Sequence, residues 1–363
     1  MAFRGIFPPA ELIPTEFGLL SAARVMTHTA RAADETWIRG FSFEYDTRPT
    51  LRLLEDGGSA AHTLFDGTGL ARYLEVKPFF FEVEDFRSTF SLTGEDRFAR
   101  VLRQIEAATQ KVLEREFCDG HVARADANGN QYLAKYSTLT FPSATPSTAI
   151  DIREAISRLE LALAGSPVGE QGTIHLTRDT PMIVGGDRMF MRVEDDKGKF
   201  HLETVNGTTT AIGSGYTGNG PVLAITTKAL SGNTATITTS SAHYLSTGET
   251  VTVAGVGAPF DGTYTVSATG SATQFSYSKT NADITSAAAT GTAQMQGTDT
   301  VKWIYATGFV DVHVGKAEVV NDNLAQGYGV TTNKNDMRIK ATRPLAIHFD
   351  PSVHAAVKAS LTL

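Results

Sequence analysis

The sequence has few of the residues that chemistry usually needs. One cysteine, Cys118, stands in 363 residues, which excludes an internal disulfide framework and any zinc site built from several thiolates. No run of about 18 apolar residues occurs, so no segment reads as a membrane span. The start, MAFRGIFPPAELIP, lacks the charged-then-apolar layout of a secretory signal, and the expectation is a chain made and kept, at least at first, in a cytoplasm. Bases are outnumbered, 32 against 39 acids, for a net charge of -7, which argues against a binder that gains its affinity by neutralising phosphates. There is no Walker or dinucleotide loop and no nucleophile elbow. The glycine-rich GSGYTG at 213–218 is followed by no helical pattern. His175, at the end of an apolar run, reads as a structural hydrogen-bonder. His348 and His354 are six apart across a proline and do not share a helical face as a metal pair would. A glycosidase would need two carboxylates across a cleft, and no pair can be singled out. The reading is of a protein that is no enzyme, with no catalytic residue, metal or cofactor.

What is present centres on residues 79–120, FFFEVEDFRSTFSLTGEDRFARVLRQIEAATQKVLEREFCDG. The first part is aromatic and β-branched and reads as extended. Thr93 stands three residues before Asp96, a capping-box spacing. From there Phe98, Val101, Leu102, Ile105, Ala108, Val112 and Phe117 recur at three- and four-residue steps, predicting a helix over 94–119 with one apolar face. Arg100, Arg103, Gln104, Glu106, Gln110, Lys111, Glu114 and Arg115 take the other face, and Gly120 suits a left-handed C-cap. A second helix is predicted over 149–164, with Ile152, Ala155, Ile156, Leu159 and Leu163 inward and Gly165 as its stop.

The wording PFFFEVEDFRSTF, then a long helix, then KVLEREFCDG, resembles major capsid proteins of tailed actinobacterial phages, which have the Hong Kong 97-type fold. The GTIH at 172–175, and Arg343 with FDP at 349–351, match the family's later wording. Cys118 departs from it, standing where an aromatic residue is usual. The resemblance implies an α+β, Hong Kong 97-like subunit with an N-terminal arm (1–36), an extended hairpin loop (37–81) and a peripheral domain (82–183) carrying the spine helix. It further implies an axial domain (184–220 and 298–335) and C-terminal strands of the peripheral domain (336–363). The function implied is the icosahedral shell of a phage head: self-assembly into pentamers and hexamers around double-stranded DNA, in the host cytoplasm, with a separate scaffold, a portal and a cement protein as partners. Trp37, Phe41, Phe43, Phe79 and Phe81 of the hairpin are the expected assembly residues, and Phe98, Leu102 and Ile105 the expected core face of the spine. Some members of the fold join a hairpin lysine to a neighbour's asparagine. Here the first lysine is Lys77 and the tip, 55–69, has none, so strength is expected to be non-covalent.

Residues 221–297 form a compositional island. They carry five charged side chains, Lys228, Glu249, Asp261, Lys279 and Asp283, and strands are predicted at 235–239, 249–253, 262–266 and 274–277 with turn residues between. This reads as an inserted small all-β module, a sandwich or barrel resembling immunoglobulin-like modules of phage structural proteins. It is expected to project outward, either bracing neighbours or touching host-surface glycans through Tyr244 and Tyr264. Elsewhere, 122–136 reads as a turn between two short strands and 303–314 as one strand. Two other readings stay open: an encapsulin-like nanocompartment shell, and a tail or fibre protein whose β module binds a receptor.

Overall fold

The computed structural model describes residues 17–29, 36–45, 51–54, 60–65, 72–88, 94–126, 130–165, 172–183, 189–194, 200–321 and 336–362. Thr93 of the capping box, the hairpin tip, the DDKG turn at 195–198, most of the arm and the side chain of Phe98 lie outside them.

The long helix is Gly94–Asp119, 26 residues and so about 39 Å. Gly120 ends it at φ +61°, and its N–H reaches Glu116 O at 2.7 Å. A methyl at Gly120 would run into the ring of Tyr132, so both conformation and space require glycine. The helix lies on a five-stranded sheet whose longest member is Asp336–Phe349. That strand pairs antiparallel with Phe79–Ser88 and Glu318–Asn321 at one end and with Val310–Val314 at the other; Arg24–Thr27 adds parallel to Val310–Val314. Alternation decides what each face holds. Val310, Val312, Leu345, Ile347 and Phe349 are buried in the core that also holds Leu113 and Phe117, while Asp311, His313, Ala346 and His348 take the opposite face. Val101 and Ile105 close the other end of the helix against Phe81, Val83, Ala341 and Val319. Each large apolar side chain so buried contributes roughly 1.5–3 kcal/mol.

A second sheet of seven strands runs in the order Ile150–Asp151, His354–Ser360, Val301–Thr307, Thr173–Thr177, Thr209–Gly213, Phe200–Thr204, Phe190–Glu194. The helix Ile152–Ala164 packs on it through Ile152, Ala155, Ile156, Leu159 and Leu163. It starts later than its periodicity suggested, because Ile150 and Asp151 pair with Ala359 and Ser360 and the Asp151 carboxylate then caps Arg153 N at 2.8 Å. The central strands are covered on both faces and lose the alternation a half-buried strand would show.

These pairings regroup the linear division of the chain. Residues 303–314 are two strands, broken at Gly308, and the break carries the chain from the seven-stranded sheet into the helix-bearing one. Thr173–Thr177 and His354–Ser360 lie in the sheet with Thr209–Gly213, whereas Val310–Val314 lies with the long helix. The segment 336–363 therefore divides between both. The 122–136 stretch is also corrected: His121–Asp126 is a short helix, not a strand, because Glu116 accepts from Val122 N and Ala123 N at 2.9 and 2.8 Å and caps it.

Residues 222–295 form a closed ring of six antiparallel strands in the order Val222–Ser231, Thr234–Thr239, Gln274–Ser278, Gly262–Ser271, Thr250–Ala254, Thr292–Met295, with Ile284–Ala288 added beside the first. The two ten-residue strands turn the corners, and each carries a register shift, between Ile225 and Thr227 and between Val266 and Ala268, as strands that pass between crossing sheets do. The module is thus a cornered barrel rather than the two separate sheets of an immunoglobulin sandwich. Its ends meet, Gly220 N donating to Met295 O at 2.9 Å and Gly297 N to Asn219 Oδ1 at 3.0 Å.

Candidate functional site at the hairpin base

The polar face of the helix-bearing sheet is where separate parts of the chain converge. The short 3-10 turn Thr36–Arg39 and the ribbon Phe41–Tyr45 with Arg72–Val76 cover it, with Trp37, Ile38, Phe41, Phe43, Leu74 and Val76 grouped around Ala346. Beneath them runs a file of imidazoles: His28 Nε2 is 3.0 Å from His313 Nδ1, and His313 Nε2 is 3.3 Å from His348 Nε2. Aromatic rings cap the file. Trp37 stacks on His28 at 4.3 Å between centroids, Phe41 lies 4.6 Å from His313, and Phe43 stacks on His348 at 4.0 Å. Among the described residues the counter-charge beside the file is Asp311, whose carboxylate is held by Arg24 through two bonds of 2.6 Å and lies 3.8 Å from His348. Burial, and then the neighbouring His348 and His28, push His313 down to about 4. Burial likewise brings His348 to about 4 against the pull of Asp311. The Asp311 hydrogen bond raises the Arg24 guanidinium.

The expected assembly residues fall into three groups. Trp37, Phe41 and Phe43 are brought together here, over the sheet. Phe79 is buried beside Phe117 in the main core, and Phe81 and Ile105 meet over Ala341. Trp37 and Phe79 are buried in this chain, and among the described hairpin aromatics the one left outward is Phe80, 53% exposed. Leu102 is corrected from core to surface, at 37% exposed. The sheet touches a narrow stripe containing Val101 and Ile105, and Leu102 stands at its edge. On the far side, Gln110 and Glu114 are buried rather than solvated. Glu114 accepts from Leu19 N (3.1 Å), Gln110 Nε2 (2.9 Å) and Gly215 N (2.9 Å). The glycines of GSGYTG serve this approach, since a side chain at Gly213 or Gly215 would strike Glu114. The loop is a helix-packing turn, not a phosphate cradle.

No family model matches the chain, and no curated protein does. Among solved structures the chain is similar to the capsid of an empty GTA particle, at 10% identity over 96% of this chain and 91% of that one, with a TM-score of 0.45. It is similar to Microbacterium phage Oxtober96 at 9% identity over 100% and 95%, TM-score 0.44, and to the holo-SrpI encapsulin complex from Synechococcus elongatus at 8% identity over 95% and 88%, TM-score 0.44.

Sequence reasoning missed a second polar cluster, at the seam between barrel and body. The side chain of Lys358 is fully buried, and its Nζ donates to Ser147 O (2.8 Å), Tyr244 O (2.6 Å) and both oxygens of Glu249 (2.8 and 3.0 Å). Burial lowers the lysine and Glu249 holds it up. Tyr244 lies against Phe141 at 4.7 Å, so it faces the body and not the solvent a glycan would occupy. Tyr264 stacks on Tyr277 at 4.1 Å, its hydroxyl donating to Asp261 O at 2.8 Å. His175, His354, Cys118 and Arg343 are tied into internal contacts. His175 bridges Tyr216 and Thr307, His354 bridges Thr138 and Leu133 O, and burial brings both to about 3. Burial pushes the Cys118 thiol up to about 12, far from a reactive thiolate. Arg343 ties the long strand to the helix through Glu106 and Thr109. Among the described residues no group of acids, histidines or cysteines is arranged to hold a metal ion, and no helix is long and apolar enough to cross a membrane.

Proposed function

We propose that this chain is the subunit of an icosahedral phage head of the Hong Kong 97-like fold. It assembles in the host cytoplasm into pentamers and hexamers that enclose double-stranded DNA, with scaffold, portal and cement supplied by other chains. The observation that carries the reading is the ribbon. Beyond its base, Leu51–Leu54 and Ala60–Phe65 pair with each other and, among the described residues, with no third strand. An isolated two-stranded ribbon is marginal in water, so it calls for a covering surface, which a neighbouring copy would supply. The helix laid along a long strand, in the order the sequence resemblance implies, supports the same reading. Phe80 and Leu102 supply exposed apolar side chains beside it. Many modest contacts closed by symmetry make a stable container without chemistry at any one site. The barrel, docked by one end, acts as a decoration that projects from the outer surface.

Negative-stain electron microscopy of the full chain, expressed alone and with a candidate scaffold, tests this. Closed shells or rings of five and six are expected. A persistent monomer or trimer in the presence of scaffold overturns it and favours the tail-protein reading. Shells that retain a co-expressed enzyme instead of DNA favour the nanocompartment.

A further inference from the structure

The imidazole file sits where three separate segments meet: the strand Arg24–Thr27 with His28, the hairpin base, and the sheet formed by Val310–Val314 and Asp336–Phe349. Each N···N contact in such a file needs one N–H and one lone pair. Three neutral rings satisfy both contacts with all donors in one direction, and a single extra proton also fits. A second extra proton cannot, because two N–H groups then face each other at one of the contacts. Asp311 opposes this only in part, since its carboxylate is shared with Arg24 and its pull still leaves His313 and His348 at about 4. Among the described covering side chains, Trp37, Ile38, Phe41, Phe43, Leu74 and Val76 bring no charge. Arg39, Glu75 and Lys77 are exposed, with Glu75 and Lys77 paired to each other at 3.9 Å. Trp37 Nε1 is buried and, among the described residues, without an acceptor, and Trp37 is held by its stack on His28.

We propose that His28, His313 and His348 form a proton-operated clasp, closed when the file is neutral and opened by acid, that releases the strand Arg24–Thr27 and the hairpin base from the sheet. It is a property of the single chain and does not depend on shell formation. The direction follows from proton uptake. Released, His313 and His348 titrate at the ordinary value of 6.5, whereas in the closed seam both lie at about 4. The open form therefore binds more protons between those values. The clasp is fully closed above the ordinary value and loses stability as pH falls toward 4.

Hydrogen exchange of the full chain, read by mass spectrometry at about pH 7 and about pH 5.5 and corrected for the intrinsic rate, tests it. Peptides covering Arg24–Thr27, Phe41–Tyr45 and Arg72–Val76 should lose protection by roughly tenfold for each ring that takes up a proton. The barrel strands Thr234–Thr239 and Thr250–Ala254 serve as the reference. His348→Gln and His313→Gln should each reduce the excess loss, and the double variant should abolish it. Loss no greater than in the barrel strands overturns the proposal from the wild-type chain alone, whether or not the variants fold. An unchanged pH dependence in a folded double variant overturns it as well, because some other group would then be the sensor.

Discussion

Glu114 is the residue on which helix, N-terminal segment and glycine loop agree. Its carboxyl group accepts three N–H donors across the buried seam. Removing an acceptor leaves each donor desolvated at a cost of about 1–3 kcal/mol. Glu114→Ala should therefore lower the thermal midpoint of the chain steeply, and Glu114→Gln, which keeps one acceptor oxygen, should lower it much less. Equal losses in the two variants would show that packing, not hydrogen bonding, is what the site supplies. Gly120 makes the complementary case. Gly120→Ala puts a side chain into left-handed backbone, at about 1–2 kcal/mol, and also displaces Tyr132; a denaturant midpoint unchanged within error would contradict the assignment of the helix stop. The two residues differ in how readable they were. Gly120 follows the last apolar step of a periodic run, so its role can be read locally. For Glu114 the period shows only that it lies opposite the apolar face, because periodicity identifies one buried face. Nothing within the helix announces that Leu19 and the loop at 213–216 cover the other.

At the scale of elements, the two long helices were legible, the short helix His121–Asp126 was not, and the strands were only half so. The five inward positions of Ile152–Ala164 are those the 3.6-residue period selects. His354–Ser360, reading HAAVKAS, has no strand signature because both its faces are covered, and with neither face in water alternation has nothing to report. That strand also carries Lys358, the ion that ties the barrel to the body. Breaking a buried pair by removing one partner costs about 3–5 kcal/mol, whereas replacing both with apolar groups is often neutral. Glu249→Ala should loosen the barrel's dock, measured as faster proteolysis or hydrogen exchange near Ser147 and Tyr244. Adding Lys358→Met to it should restore most of the protection. If the double variant is as loose as the single, the pair specifies the docking geometry and is not merely compensating its own burial. The abrupt fall in charge at 221–297 marked the module's limits. Its closure depended on bulges at Ile225 and Val266, which no residue pattern displays.

For the whole molecule, the question is what the ribbon does when copies meet. The base of the hairpin is anchored by Trp37, Phe41, Phe43 and Val76 over the sheet, while Leu51–Leu54 and Ala60–Phe65 pair, among the described residues, only with each other. A ribbon of that kind opens at little cost in a single chain. In a shell it would gain a covering surface and close. The amides of those two strands should therefore exchange fast in the unassembled chain and slow by roughly a hundredfold or more on assembly, since even about 3 kcal/mol of added burial has that effect. The strands Val301–Thr307 and Thr173–Thr177, already buried on both faces, should hardly change, and this difference separates ribbon capture from a general tightening of the fold. Protection of the ribbon before assembly would mean that it folds against its own chain, removing the main physical reason for expecting a neighbour. Protection absent in closed shells would place the contacts between copies elsewhere, and the exposed Phe80 and Leu102 would become the first positions to substitute.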